Sequence, residues 1–345
     1  MKKNDGDRMN KVPVPTCFLA FFLSVVFTAA PLVYAEKIPD FSSFITTSSQ
    51  GHIDWDQGLI YGTGHGSIKD NNNSRARAMG AANMAASGNI IKLAANMNLN
   101  DTDTLQSYGK GLIVIKLKAF LQDRVHSQSY VRQGADSYWQ VTRVAHINGI
   151  KGLTSSVLKL ISPFPAQKMN ERSATPLDDE EKPWLLVDAR SIQGAVVAPA
   201  LFPRVVTQEG RHIHSLRQAD QEAVIQRGMA RYVTAKTSLA NGWTSQRLVD
   251  AILRHAGILA AADTVFAAEP MPKSKRRRSF IVAKAEGLSG LRKTNLIISE
   301  ADARKLQAED NASAILKNCR VIIMSASPIG GVEGRRLDTL LASIY

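Results

Sequence analysis

"LIYGTGHGSIKDNNNSRARAMGAA", Leu59 to Ala82, sets Gly62, Gly64 and Gly66 at alternate positions ahead of an alanine-rich stretch. Two readings compete: a loop cradling phosphate, or a strand whose bare face lets a helix come close. A dinucleotide fingerprint needs G-x-G-x-x-G, and Ser67 stands where its last glycine belongs. It also needs an acidic residue ending a strand about 20 residues on, where this chain is still within a helical pattern. A phosphate loop of the G-x-x-x-x-G-K type is missing too, since Lys69 lacks the upstream glycine and precedes Asp70. Alternation by two puts all three glycines on one face of a strand. The expectation is a packing seam in which Ala78, Ala81 and Ala85 of the next helix approach that face.

The helix should run from Ser74 to Met97, because Met79, Ala82, Ala86, Ile90, Leu93 and Met97 recur at spacings of three and four. Before it, "HIDWDQGLIYGTGHGSI" reads as two strands hinged at Gln57 and Gly58. After it come a helical segment around Gly111 to Leu121 and two alternating stretches, "QDRVHSQSYV" and "SYWQVTRVAHI". That order implies an α+β domain with helices on an antiparallel sheet.

Residues 162–183 carry four prolines and the acidic run Asp178 to Glu181, and read as a linker. They separate a first domain, 36–161, from a second, 184–345. In the second, "WLLVDARSI", "SFIVAKAEGL", "TNLIIS" and "CRVIIMSA" read as strands, and "PRVVTQEGRHIHSL" as a hairpin turning at Glu209 and Gly210. A helix from Ser245 to Ala262 turns Val249, Ile252, Leu253 and Ala256 to one side, and Ser299 caps another that runs toward Lys317. The expected class is therefore α+β throughout: two domains, each with helices on a mostly antiparallel sheet.

The chain opens with Lys2, Lys3, Arg8 and Lys11, an apolar run from Cys17 to Ala30, and Val33-Tyr34-Ala35. This is the pattern of a secretory signal peptide, residues 1–35, cut after Ala35; an uncleaved anchor is the alternative. Losing four basic and two acidic residues takes the formal charge from +13 to +11. A basic exported protein meets anionic envelope polymers or lipid headgroups, and nucleic acid is not an expected partner. Of the two cysteines only Cys319 lies past the leader, so no intramolecular disulfide is possible in the mature chain.

Chemistry-bearing groups are sparse. No G-x-S-x-G is present, and no catalytic residue, cofactor or metal site is assigned. His212 and His214, two apart in an expected strand, would share a face without a third ligand. Asp188 and Arg190 are likewise two apart, and with these histidines form the alternative reading, a ligand-binding protein or enzyme with a site between the domains. Lys273, Lys275, Arg276, Arg277 and Arg278 make a basic cluster suited to an anionic partner.

The strand "YGTGHG", the helix "SRARAMGAANMAA" ending near Asn96 to Asn98, and the two later strands resemble the bacterial Lpp-twenty-type outer-membrane lipoprotein family, which includes flagellum-associated envelope proteins. The second part, through "LVDARSI", "APALFPRV", "EGRHI", "IISEADARKL" and "CRVIIM", is similar to a segment of uncharacterised function in exported bacterial proteins. The resemblance implies a non-catalytic, oligomer-forming protein of the periplasm or outer membrane. Its expected partners are other envelope proteins or itself. Cys17 lacks the setting of an acylated cysteine, so the chain departs from the lipoprotein pattern there.

Overall fold

The computed structural model describes residues 41–108, 121–133, 136–161, 182–192, 196–235, 246–256 and 279–326, with Val114, Leu117 and Ile258 besides. The expected signal peptide, the helix around Gly111 to Leu121 apart from Val114, Leu117 and Leu121, the linker apart from Lys182 and Pro183, and the basic cluster Lys273 to Arg278 lie outside the described residues.

Among the described residues there are two sheets, and the class is α+β. The first sheet has the order β2 (Ile45–Ser48), β3 (Gly51–Asp54), β4 (Leu59–Ser67), β6 (Asp136–His146) and β5 (Asp123–Gln133), antiparallel throughout. Gly58, at φ +65°, makes the turn between β3 and β4. Helix α1 (Arg75–Asn96) follows; Ser74 caps it by accepting from the Arg77 N–H.

The glycine seam exists, with Ala78 as expected and with Ala82 and Ala86 in place of Ala81 and Ala85. Gly62, Gly64 and Gly66 are buried against α1, whereas their outward neighbours Tyr61, Thr63 and His65 are not. Ala78, Ala82 and Ala86 are buried, while Ala81 is half-buried and Ala85 exposed. The correction follows from helical spacing: the stripe that closes on the glycines continues through Ile90 and Leu93.

The second sheet has the order β1 (Phe41–Ser42), β10 (Arg231–Ala235), β13 (Val321–Ala326), β7 (Trp184–Asp188), β11 (Phe280–Ser289), β12 (Asn295–Ile298), β8 (Val205–Thr207) and β9 (His212–His214). It is mixed, which corrects the expectation of a mostly antiparallel second sheet. The pairs β10–β13, β13–β7, β7–β11 and β12–β8 are parallel. Parallel strands are covered on both faces, and β7 and β13 are buried at almost every position. Leu185, Val187, Val321 and Ile323 face one core; Trp184, Leu186, Ile322 and Met324 face another, under α4 (Gln246–His255). The first of these cores runs on into α1, α2 (Leu153–Ile161), α3 (Gln221–Arg227) and α5 (Glu300–Ser313). It joins Ile60 and Ile90 of the first sheet's layer to Leu185 and Ile298 of the second's. Ser299 caps α5 as expected, accepting from the Asp302 N–H at 3.0 Å. No described helix is long and apolar enough to cross a membrane.

Candidate functional site

The face of the first sheet away from α1 is polar and aromatic. His52 stacks on Tyr61 at 4.5 Å between ring centroids, and His126 meets the same ring edge-on at 5.1 Å. His65 packs against Tyr138 at 5.5 Å, and the Thr63 and Thr142 hydroxyls bond at 3.2 Å. These residues share a face because Tyr61, Thr63 and His65 alternate with the buried glycines, and β6 keeps the same register opposite them. Far apart in the sequence, His52 and His126 are brought to one ring, Tyr61, by the antiparallel pairing.

Strand β5 ends the sheet, and among the described residues no strand pairs with its outer edge. Its eleven residues carry a bulge between Val125 and Ser127, and the run from Arg124 to Ser129 is exposed. The strand is held from behind. Arg143 donates from Nε to Asp123 Oδ2 at 2.7 Å, and Ser87 of α1 donates to the same oxygen at 2.6 Å. Partial burial pushes the Asp123 carboxyl up, but these bonds prevail and hold it below the usual carboxylate range.

A cleft of about 760 Å³ opens between the segment after α1 and the β8–β9 hairpin. Leu99, Phe202 and Leu216 line its apolar side, and Arg204, His212 and Arg217 its cationic side. Arg204 is partly neutralised by Asp101 at 3.4 Å.

The four groups of the alternative reading do not meet. His212 is exposed at this cleft, but His214 is fully buried, its Nε2 within 2.9 Å of the Met229 carbonyl. A register shift between Val205 and Val206 breaks the two-residue alternation that would have put both imidazoles on one face. Burial pushes the His214 pKa down, so it stays neutral. Asp188 and Arg190 form a two-pronged ion pair at 2.8 and 2.7 Å where β7 ends. Cys319 is buried as expected, but in the turn before β13, and burial pushes its thiol up to about 12.

One acid–imidazole pair was not anticipated. Asp56, 1% exposed, accepts from the Phe44 N–H at 2.9 Å, and its Oδ2 lies 3.1 Å from His255 Nε2 at the end of α4. At that distance the two groups form an ion pair when the imidazole is protonated. The same imidazole nitrogen lies 3.3 Å from the Ser42 carbonyl, and the Ser42 hydroxyl bonds to Thr234.

Burial pushes the Asp56 carboxyl above its usual value, and Asp56 in turn raises the His255 imidazole against partial burial. Both groups thus hold protons more tightly folded than unfolded. The His255 contribution is complete below about pH 6.5 and is lost as pH rises through its raised folded value. Asp56 acts in the same direction from about pH 4 upward. Urea unfolding should therefore show stability falling as pH rises above about 6.5, with that decline flattened in His255→Gln.

No curated protein matches the chain. Residues 184–327, from the start of β7 to one residue past β13, match the family model of the second domain of Treponema pallidum Tp0624.

Proposed function

We propose that this chain is a non-catalytic, exported component of a bacterial envelope assembly, working through contacts of its first sheet, beginning with a second copy of itself. The observation that carries the reading is β5, a long exposed strand whose outer edge no described strand covers, anchored by Arg143 and Ser87. Edge strands are usually short, covered or heavily charged because their free N–H and C=O groups template pairing with another chain. The β5 edge has the bulge and a few charges, and the neutral run Ser127, Gln128, Ser129 lies between them.

The likeness of "YGTGHG" and its helix to Lpp-twenty-type proteins supports an oligomeric role near the outer membrane, including flagellar machinery. The cluster from Lys273 to Arg278 would add contacts with anionic polymers or headgroups. A second reading, a ligand-binding role, is favoured by the cleft with Arg204, His212 and Arg217.

Light scattering after size exclusion on residues 36–345 tests the first reading. The expected result is concentration-dependent self-association that strengthens with salt, because screening relieves repulsion between +11 copies. A Ser127→Lys/Ser129→Lys double variant should weaken it by about tenfold or more while leaving the melting temperature unchanged. A strict monomer that binds no envelope component overturns the proposal.

A further inference from the structure

The cleft beside the β8–β9 hairpin rests on backbone that the fold holds in place. After α1 the chain is tied to the segment before β8: the Leu201 N–H donates to the Asn98 carbonyl and the Phe202 N–H to the Leu99 carbonyl, both at 2.9 Å. Leu99 and Phe202 are buried there, while Ile161 and Leu216 keep part of their surface open to the cleft. The Arg204 carbonyl accepts from the Leu296 N–H at 2.9 Å, which fixes the backbone that carries one of the two arginines. At about 760 Å³ the cleft falls within the size range of small-molecule sites, and walls held this way need little ordering before a ligand enters.

The polar groups narrow the choice of ligand. Asn100 Oδ1 already accepts from the Thr102 and Asp103 N–H groups, and the Gln218 carboxamide is held by the Ser215 hydroxyl and the His212 carbonyl. Amides that could read a sugar are thus largely engaged. Arg217 is exposed and, among the described residues, makes no ion pair, whereas Arg204 shares its charge with Asp101 at 3.4 Å. No described residue that lines the cleft is acidic. Two guanidiniums against one carboxylate leave a surplus of one positive charge next to an apolar surface. A compact anion would leave that surface wet, and an uncharged lipid would leave the arginines idle.

We infer, on the footing of the ligand-binding reading above, that this cleft takes an anionic amphiphile: an acyl chain of about ten carbons lies along Leu99, Phe202 and Leu216, and Arg204 and Arg217 hold its head. An anion at an exposed arginine gains little by itself, so the chain supplies most of the affinity and the arginines select the head. A monoanionic head on an acyl chain occurs in free fatty acids and in anionic phospholipids.

Calorimetric titration of residues 36–345, which include the whole compact unit from Ile38 onward, tests this with hexanoate, decanoate, decanol and inorganic phosphate, all below micelle-forming concentration. Decanoate should bind, each methylene added between hexanoate and decanoate should tighten binding by about two- to fourfold, and decanol and phosphate should bind about tenfold more weakly or worse. Arg217→Gln should weaken decanoate by about fivefold and leave decanol unchanged, and Leu216→Ser should weaken both alike. Sedimentation with phosphatidylglycerol vesicles that decanoate reverses assigns the site to a membrane lipid; decanoate binding without vesicle attachment assigns it to a free acid. Phosphate or decanol binding as tightly as decanoate, and weakened by either substitution, overturns the amphiphile while a ligand remains in the cleft. No binding of any probe overturns the ligand-binding reading as well. Decanoate binding that survives both substitutions unchanged, or that appears only once Asp178 to Glu181 are made neutral, also overturns the inference, the latter because the chain's own acidic run would then be the occupant.

Discussion

Gly64→Val should leave the first sheet and α1 unable to fold together. A Cβ on Gly64 would lie 2.3 Å from both the Ala82 carbonyl oxygen and the Ala86 nitrogen, and no real Cβ approaches backbone so closely. Those atoms belong to the helix backbone, so no side chain can rotate away to relieve the clash. Lifting α1 off β4 would also open the core at Ala82, Ala86 and Val141. Overpacking alone costs about 1–3 kcal/mol where side chains can adjust, and here the loss should exceed about 4 kcal/mol. That is a large share of the roughly 5–15 kcal/mol by which domains are stable.

The control lies in the same helix. Gly80 and Gly88 have nothing within 4 Å of an added Cβ, so Gly80→Ala and Gly88→Ala should each stabilise by about 0.5–1 kcal/mol. Urea unfolding followed by far-ultraviolet circular dichroism checks all three. A Gly64→Val variant as stable as the parent would mean that α1 does not lie on β4. Any nucleotide affinity should be lost only along with the fold, because these glycines face a helix and have no loop to offer a phosphate.

Tyr232→Ala should be nearly as damaging, for a different reason. The ring is 1% exposed and meets Phe44 and Trp55 edge-on at 5.7 and 5.6 Å. Its hydroxyl donates to the Ala200 carbonyl at 3.1 Å and accepts from the Ala200 N–H at 3.0 Å. Burial pushes the phenol well above its usual pKa, so it remains a donor at any working pH. Truncating a buried aromatic costs about 3–5 kcal/mol, and the orphaned Ala200 groups add about 1–3 kcal/mol. Tyr232→Phe keeps the ring and should forfeit about 1–3 kcal/mol, which separates packing from hydrogen bonding. Because Phe44 and Trp55 come from the β1–β4 region, amide exchange in the Tyr232→Ala protein should quicken around β3 and β4 as well as in β10. Quickening confined to β10 would count against a shared core.

Local elements were readable wherever a single rule governed them. Alternating glycines specified a strand with one bare face, the three-and-four spacing specified α1, and Ser299 before Asp302 specified the start of α5. The one-residue error over Ala81 and Ala85 arose because an alanine-rich helix has several plausible stripes, and Ile90 and Leu93 select among them only once packed. The parallel pairings carried a signal that an alternation rule overlooks. "WLLV" and "VIIM" are continuous apolar runs, as strands covered on both faces require, and helices separate β10 from β11 and β12 from β13.

The candidate site was much less legible. His52, Tyr61 and His126 come together only when β3, β4, β6 and β5 take their registers, and β5 stands at a sheet edge only as the end of that order. Asp56 finds His255 across 199 positions, and Phe41 pairs with Ala235 at the far margin of the second sheet.

The sequence by itself determined those strands and helices that a clear period or cap marks, and which face of each is apolar, because those follow from backbone geometry and side-chain period within a few residues; β2, β10, α2 and α3 are not among the expected elements. The tertiary structure alone decided strand partners, which described strand ends each sheet, and the meeting of Asp56 with His255. Those depend on which distant surfaces fill one another's space, and no local period encodes that.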